Sequence, residues 1–154
     1  MSDAAHTFIQ VQSADFNHAE QYSALRDDCP KIGAIVTFCG LMRDFNDGDD
    51  VSVLELEHYP GMTERVLAEI IEQARTRWQL EGVRVIHRIG EMTPSDQIVF
   101  VGVSSAHRID AFAACEFIMD FLKTRAPFWK KEKTRDGQRW VDAKDSDNKA
   151  TERW

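Results

Sequence analysis

Lys123-Thr124-Arg125-Ala126-Pro127-Phe128-Trp129-Lys130-Lys131 follows directly on the apolar run Ala111 to Leu122 and sets four cations around a proline and two aromatic rings. From Lys123 to Arg135 six basic residues stand against one acid, Glu132, for a local charge of +5. The whole chain carries −7, which leaves −12 on the other 141 residues. An acidic chain that gathers its cations beside aromatic residues is suited to an anionic ligand. The same run also reads as the basic end of a helix, complementing the helix dipole with no ligand at all. Lys123 and Lys130 are seven residues apart across Pro127, so no helical face has to align them. Brought together with Arg125 nearby, two ammonium groups depress each other's pKa by repulsion. A lysine moved towards neutrality can serve as base, acid or nucleophile. As two ordinary surface lysines they would do none of this.

A second cationic place is Ser104-Ser105-Ala106-His107-Arg108, where an apolar strand hands over to a helix. Unpaired backbone N–H groups at a helix N-terminus favour an anion. Ser104 or Ser105 is the expected N-cap. His107 and Arg108 are unfavourable against the positive end of the dipole, and a phosphate would compensate for them. Arg43 is a third cation at the end of a strand. His107 and Lys123 lie about 24 Å apart on one straight helix, too far for one small-molecule site. Two copies of the chain, each lending one end of the helix, would relieve this, and a dimer is expected.

Other chemistries are poorly supported. His58, His87 and His107 lack the close spacing of zinc ligands. The acidic stretch Asp44 to Asp50 has a calcium-loop look, but the glutamate at its twelfth position, Glu55, falls inside a strand pattern. It reads as a mobile, exposed loop. Cys39 is expected as a small buried hydrophobe rather than a reactive thiolate, and Cys115 as core. No GxxxxGK phosphate loop or GxSxG elbow occurs.

The elements that must hold these residues alternate helices with pairs of strands. Phe8–Gln12, Ile32–Cys39, Val51–Tyr59, Val83–Ile89 and Gln97–Ser104 read as strands, with Ile32–Cys39 buried and central. Helices are expected over Asp15–Arg26, from Thr63 to Gly82, and over Ile109–Lys123 with Phe112, Cys115, Ile118, Met119 and Leu122 facing inward. Pro127 stops the last helix, and Asp136-Gly137 predicts a closing β-ribbon through Trp140. Lys144 to Trp154 is a polar tail, expected to be only partly ordered. The pattern is α+β with mainly antiparallel sheet and three helices.

At 154 residues, with 43% hydrophobic and 29% charged composition, one domain spanning residues 1–154 is expected. No run reaches the ~18 apolar residues of a membrane span. Met1 to His6 lacks the basic start and apolar region of a secretory leader. Three cysteines without a CxxC pair favour free thiols in a reducing compartment, so a cytoplasmic protein is expected. The acidic balance argues against nucleic acid as a partner.

Glu57-His58-Tyr59-Pro60-Gly61-Met62, His87-Arg88-Ile89-Gly90, Val101-Gly102-Val103-Ser104-Ser105-Ala106-His107-Arg108 and Lys123-Thr124-Arg125-Ala126-Pro127-Phe128-Trp129-Lys130 occur in that order. From about Ile32 to Trp140 the chain thereby resembles the large, catalytic subunit of molybdopterin synthase. The resemblance implies an α+β domain of the hammerhead type and sulfur insertion in molybdenum cofactor biosynthesis. The substrate implied is cyclic pyranopterin monophosphate (precursor Z), whose cyclic phosphate opens while two sulfurs are added. The sulfur donor implied is the C-terminal thiocarboxylate of a small ubiquitin-like subunit, in a heterotetramer built on a dimer of large subunits. No resident cofactor or metal is expected. Carried over position by position, substrate contacts fall on Leu41, Met42, Arg43, His107, Arg108, Lys131 and Glu132, with Lys123 as the central catalytic lysine and Lys130 assisting it. Leu41 departs from the polar or basic residue expected there. A module that binds a ubiquitin-like tail or a phosphate without catalysis is the alternative.

Overall fold

The computed structural model describes residues 6–26, 29–141 and 144–154; residues 1–5, read above for the absence of a leader, lie outside them. The chain begins β1 (Thr7–Gln12), α1 (His18–Arg26), β2 (Ala34–Leu41), β3 (Phe45–Asn46), β4 (Asp49–His58) and α2 (Met62–Arg77). It continues β5 (Gly82–Arg88), β6 (Gly90–Met92), β7 (Gln97–Ser105) and α3 (Arg108–Arg125). It closes with β8 (Phe128–Thr134), β9 (Gly137–Val141) and α4 (Asp145–Glu152).

The fold is α+β, with two sheets. One has the order β1-β5-β7-β2, and the other the order β3-β4-β8-β9 with β6 also on β4. Every described pairing is antiparallel except β1 with β5. The strand buried throughout its centre is β7, not β2, which lies at the sheet edge and leaves Phe38 40% exposed. An unbroken apolar run cannot by itself separate the two, since both read as near-continuous β-branched stretches.

Alternation along β7 explains its double burial. Val99, Val101 and Val103 join the main core with Leu67, Ile70 and Ile71 of α2 and Phe117 and Ile118 of α3. Phe100 points the other way, into a cluster with Phe16, Ile86 and Leu25 of α1. Between them Gly102 lets α1 approach: a Cβ there would stand 2.4 Å from Leu25 Cδ1. A smaller core of Met42, Val51, Leu54, Leu56 and Met92 underlies the second sheet.

Four further expectations need correction. Phe112 is 62% exposed, because it lies four residues from both Arg108 and Glu116 on the outer stripe of α3. The N-cap of α3 is His107 rather than Ser104 or Ser105, whose side chains are both buried. The acidic stretch is not a free loop, because β3 and the start of β4 pair across Asp47 (φ 50°) and Gly48 (φ 82°). Positive φ at both central residues of a two-residue hairpin suits Asp-Gly.

The fourth correction is the tail, which forms a fourth helix among the described residues. Trp154 meets Trp78 and Phe117 edge-on at 5.5 and 5.6 Å, and its Nε1 donates to Asp120 Oδ2 at 2.6 Å. Arg153 also pairs with Glu116 and Asp120. The polar composition concealed this because one terminal aromatic carries the anchorage. Trp154→Ala should lower the unfolding free energy by about 2 kcal/mol, less than a fully buried aromatic, read as a lower urea midpoint at unchanged m value.

Candidate active site

Pro127 sets the geometry. The residue before a proline is pushed out of the helical region, and Ala126 is extended (φ −70°, ψ 132°), so α3 ends at Arg125 with Lys123 in its last turn. The chain re-enters as β8, whose period of two turns Phe128, Lys130 and Glu132 to one face and Trp129, Lys131 and Lys133 to the other. Phe128, Lys130 and Glu132 stand opposite His58, Leu56 and Leu54 of β4.

A cavity of about 430 Å³ opens where α3 ends between the two sheets. Lys123 and Lys130 line it together with Leu41, Met42, Arg43 and Glu132. Six of the nine residues carried over from the sequence thus meet in one place. Met42 is buried, whereas Leu41 and Arg43 are exposed at the mouth.

Three lie elsewhere in a single chain. Lys131 faces the opposite side of the sheet, with Nζ 5.4 Å from the Trp140 ring centroid. His107 and Arg108 are exposed at the N-terminus of α3, the far end of the helix from Lys123. Sixteen residues separate His107 from Lys123, about 24 Å along the axis.

The lysines are unequal. Lys123 is exposed, and Lys130 is more enclosed. Burial pulls the pKa of Lys130 down to about 8, with Lys123 pushing further in the same direction and Asp147 opposing. Repulsion between the lysines, expected from the sequence, is therefore present but second to desolvation.

Glu132 is 6% exposed, and its carboxylate is already engaged. Asn46 Nδ2 donates to its two oxygens at 3.1 and 3.0 Å, and Arg139 Nε donates at 3.2 Å. Arg139 also holds Asp49 at 2.7 Å and the Asn46 carbonyl at 2.8 Å. Glu132 thereby ties the acidic hairpin to the closing ribbon at the cavity wall.

His87 was missed as a site residue. It is 3% exposed, lines the cavity and stacks on Phe128 with centroids 3.8 Å apart at 17°. Burial pushes its pKa down to about 3, although the bond from Nδ1 to the Arg88 carbonyl opposes this. The available signal was the period of β5, which puts a lone histidine in the inward row of Val83 and Val85. Neither Cys39 nor Cys115 offers a ready thiolate: burial raises the pKa of Cys39, and it lifts that of Cys115 to about 12.

Two lysines, an arginine and a neutral imidazole line one cavity of this α+β domain, a set of groups that can hold an anion and exchange protons. Residues 11–125 match the family described as MoaE protein. The molybdopterin synthase catalytic subunit of Vibrio cholerae is 61% identical over 146 residues, covering 95% of this chain and 97% of that one. Among solved structures, the molybdopterin biosynthesis MoaE protein of Burkholderia ambifaria superposes with a TM-score of 0.83 at 50% identity, covering 96% and 97% of the two chains. Molybdopterin synthase from Staphylococcus aureus gives 0.78 at 34% identity over 86% of this chain and 95% of that one. The chain belongs to the MoaE family. The family match stops at Arg125, ahead of Lys130, but the Vibrio relative's coverage leaves few residues outside.

Burial disfavours the charged amine, so the neutral form of Lys130 dominates above about pH 8 instead of 10.5. Competitive acylation with acetic anhydride across pH should give Lys130 a reactivity midpoint near pH 8. A midpoint at the value of ordinary surface lysines would contradict the enclosed placement.

Proposed function

We propose that this chain is the catalytic subunit of a cytosolic molybdopterin synthase, converting cyclic pyranopterin monophosphate to molybdopterin. The observation that carries this reading is the joint lining of one cavity by Lys123 and Lys130 in a MoaE-family chain. The substrate phosphate and the thiocarboxylate of a small ubiquitin-like partner are both anions, which suits a cationic cavity on an acidic protein. In each transfer the thiocarboxylate sulfur forms a bond to a side-chain carbon of the pterin as a carbon–oxygen bond there breaks, its oxygen leaving as water or staying on the phosphate. Water then cleaves the acyl–sulfur bond, so the sulfur stays on the pterin and the tail departs as a carboxylate. Lys123, exposed at the helix end, meets the partner tail and the reacting carbons. Lys130, its pKa drawn down to about 8 by burial, exchanges protons and stabilises developing negative charge. Arg43 at the mouth holds phosphate.

His107 and Arg108 join through a second copy of the chain, each protomer completing the other's cavity. Support comes from the apolar surface beside them: Ile109 is 71% exposed and Phe112 is exposed on the same end of α3. Phe38 and Leu41 of the edge strand β2 are exposed as well. A two-fold contact would bury all four. Among the described residues no helix is long and apolar enough to cross a membrane. All three cysteines are free, which suits a reducing, cytosolic setting.

Reconstitution with a thiocarboxylated small subunit and precursor Z should yield molybdopterin, and Lys123→Ala should abolish it without disturbing assembly. Product from both chains would move the chemistry first to Lys130. No product from either, despite a stable complex, would make the chain a binding module. For the shared site, Lys123→Ala and Arg108→Ala chains should each be inactive alone. Randomly mixed dimers should regain about a quarter of wild-type turnover, because one site in each heterodimer is then complete. Zero recovery in a mixture shown to exchange subunits would confine each site to one protomer.

A further inference from the structure

Arg43 lines the cavity, and among the described residues its guanidinium has no hydrogen-bonding or ion-pair partner. Its direction therefore depends on the backbone that carries it, and that backbone is bracketed. On one side Met42 donates its N–H to the Asp96 carbonyl at 2.9 Å and accepts from the Ser95 N–H at 2.8 Å. On the other side the Asp44 carbonyl accepts from the Val51 N–H at 2.8 Å. Only Arg43 lies between these two fixed points. The Met42 side chain adds a third restraint, buried in the small core with Leu54, Leu56 and Met92.

The clasp on Met42 is a built turn. Thr93-Pro94-Ser95-Asp96 closes with the Asp96 N–H donating to the Thr93 carbonyl at 3.0 Å. Proline at its second position and Ser95 at φ 76° in its third match a type II turn. That third position favours glycine, so a serine held there is strained and has to be braced. The Asp96 carboxylate supplies the brace. Its Oδ2 accepts from the Thr93 N–H at 2.8 Å and from the Thr93 hydroxyl at 3.3 Å. Thr93, Pro94 and Ser95 are all exposed, so core packing does not account for the turn. A bulge brings β2 to it: Gly40 pairs with Val99 and Leu41 with Gln97, so Ile98 is passed over and the chain bends out of the ladder towards Met42.

We propose that the turn at residues 93–96 is a positioning device for Arg43: the Asp96 carboxylate closes the turn, the turn clasps Met42, and the clasp aims the guanidinium at a phosphate group in the cavity. Asp96 does not itself line the cavity, so its effect on a ligand passes through Arg43. That this phosphate belongs to precursor Z rests on the function proposed above, whereas the clasp and its effect on inorganic phosphate do not.

The first measurement needs no turnover. The Nε–H resonance of Arg43 in the free, full-length chain, assigned with Arg43→Lys, is followed during titration with inorganic phosphate. It should move in the wild type, and Asp96→Ala should weaken the phosphate midpoint about tenfold, as loss of a charge-assisted bond would. Asp96→Asn keeps an oxygen for the Thr93 N–H and should restore most of the affinity. No movement in the wild type, an unchanged midpoint in Asp96→Ala, or equal weakening by both substitutions overturns the proposal. Should Asp96→Ala fail to fold, Pro94→Gly loosens the same turn without touching Asp96 and should weaken phosphate in the same direction; an unchanged midpoint there overturns the proposal too. The second measurement is steady-state molybdopterin synthesis. Asp96→Ala should raise KM for precursor Z about tenfold and leave kcat within about twofold, because positioning acts on the phosphate and not on the reacting carbons. A fall in kcat at unchanged KM overturns the proposal. Phosphate binding that depends on Asp96 without molybdopterin synthesis would sink the proposed function and leave the clasp, and synthesis indifferent to Asp96 would do the opposite.

Discussion

Ala126-Pro127 is the constraint on which the site depends. Had α3 continued, Lys130 would lie two turns beyond Lys123, about 10 Å further along one helix. Proline forbids this by removing a donor and forcing Ala126 to extend. The chain therefore turns from a period of 3.6 to a period of two within three residues. A lysine from a helix end and a lysine from a strand face then approach the same space from different directions. The second sheet follows from the same break, since β8 is its axis, paired with β4 on one side and β9 on the other.

Holding cations in such a place requires a wall that neither collapses nor neutralises them. The apolar part comes from Met42, Leu54 and Phe128, and the polar part is engaged elsewhere before any ligand arrives. Glu132 is the clearest case. A free carboxylate beside Lys130 would form a closed ion pair, but bonds from Asn46 and Arg139 commit it to the hairpin Phe45–Asp50. The lysines thus remain available to an incoming anion. The C-terminal helix belongs to the same wall through Lys144 and Asp147, and Trp154 fixes that helix against Trp78 and Phe117.

What the sequence disclosed follows from range. Strong local signals placed the longer strands, the main helices, the β8–β9 turn and the proline break to within a few residues, because each is settled by neighbours in the chain, whereas the short β3 and β6 fall in stretches that read as connections. The position of β2 in its sheet was not local. An apolar run shows that a strand packs, but only the competition with β7 for the centre shows where. The tail helix was hidden because its anchorage comes from residues 76 and 37 positions away, Trp78 and Phe117, while its own composition is polar. The site was half legible. Charge against an acidic background marked Lys123 and Lys130, and the family resemblance supplied Leu41, Met42, Arg43 and Glu132. His87 escaped because searching histidines for metal spacing overlooks one whose meaning lies in an apolar strand row.

The two ends of α3 carry the remaining physical tension. The helix is a rigid spacer of 18 residues, about 27 Å, with Lys123 near one end and Arg108 at the other. Arg108 and His107 sit where the dipole is positive, so they are at their least stable without an anion or a partner. Within one chain nothing can bring them to the cavity, because shortening the helix would expose Phe117 and Ile118 from the main core. The two-fold arrangement proposed above would remove the conflict without deforming either chain. Contact of one protomer's helix start with the other's helix end would make the reverse contact equivalent, so both cavities would be completed at once. The exposed Ile109 and Phe112 would then supply the apolar contact that such an interface needs. A rigid helix too long for one site would in this way be the right length to join two.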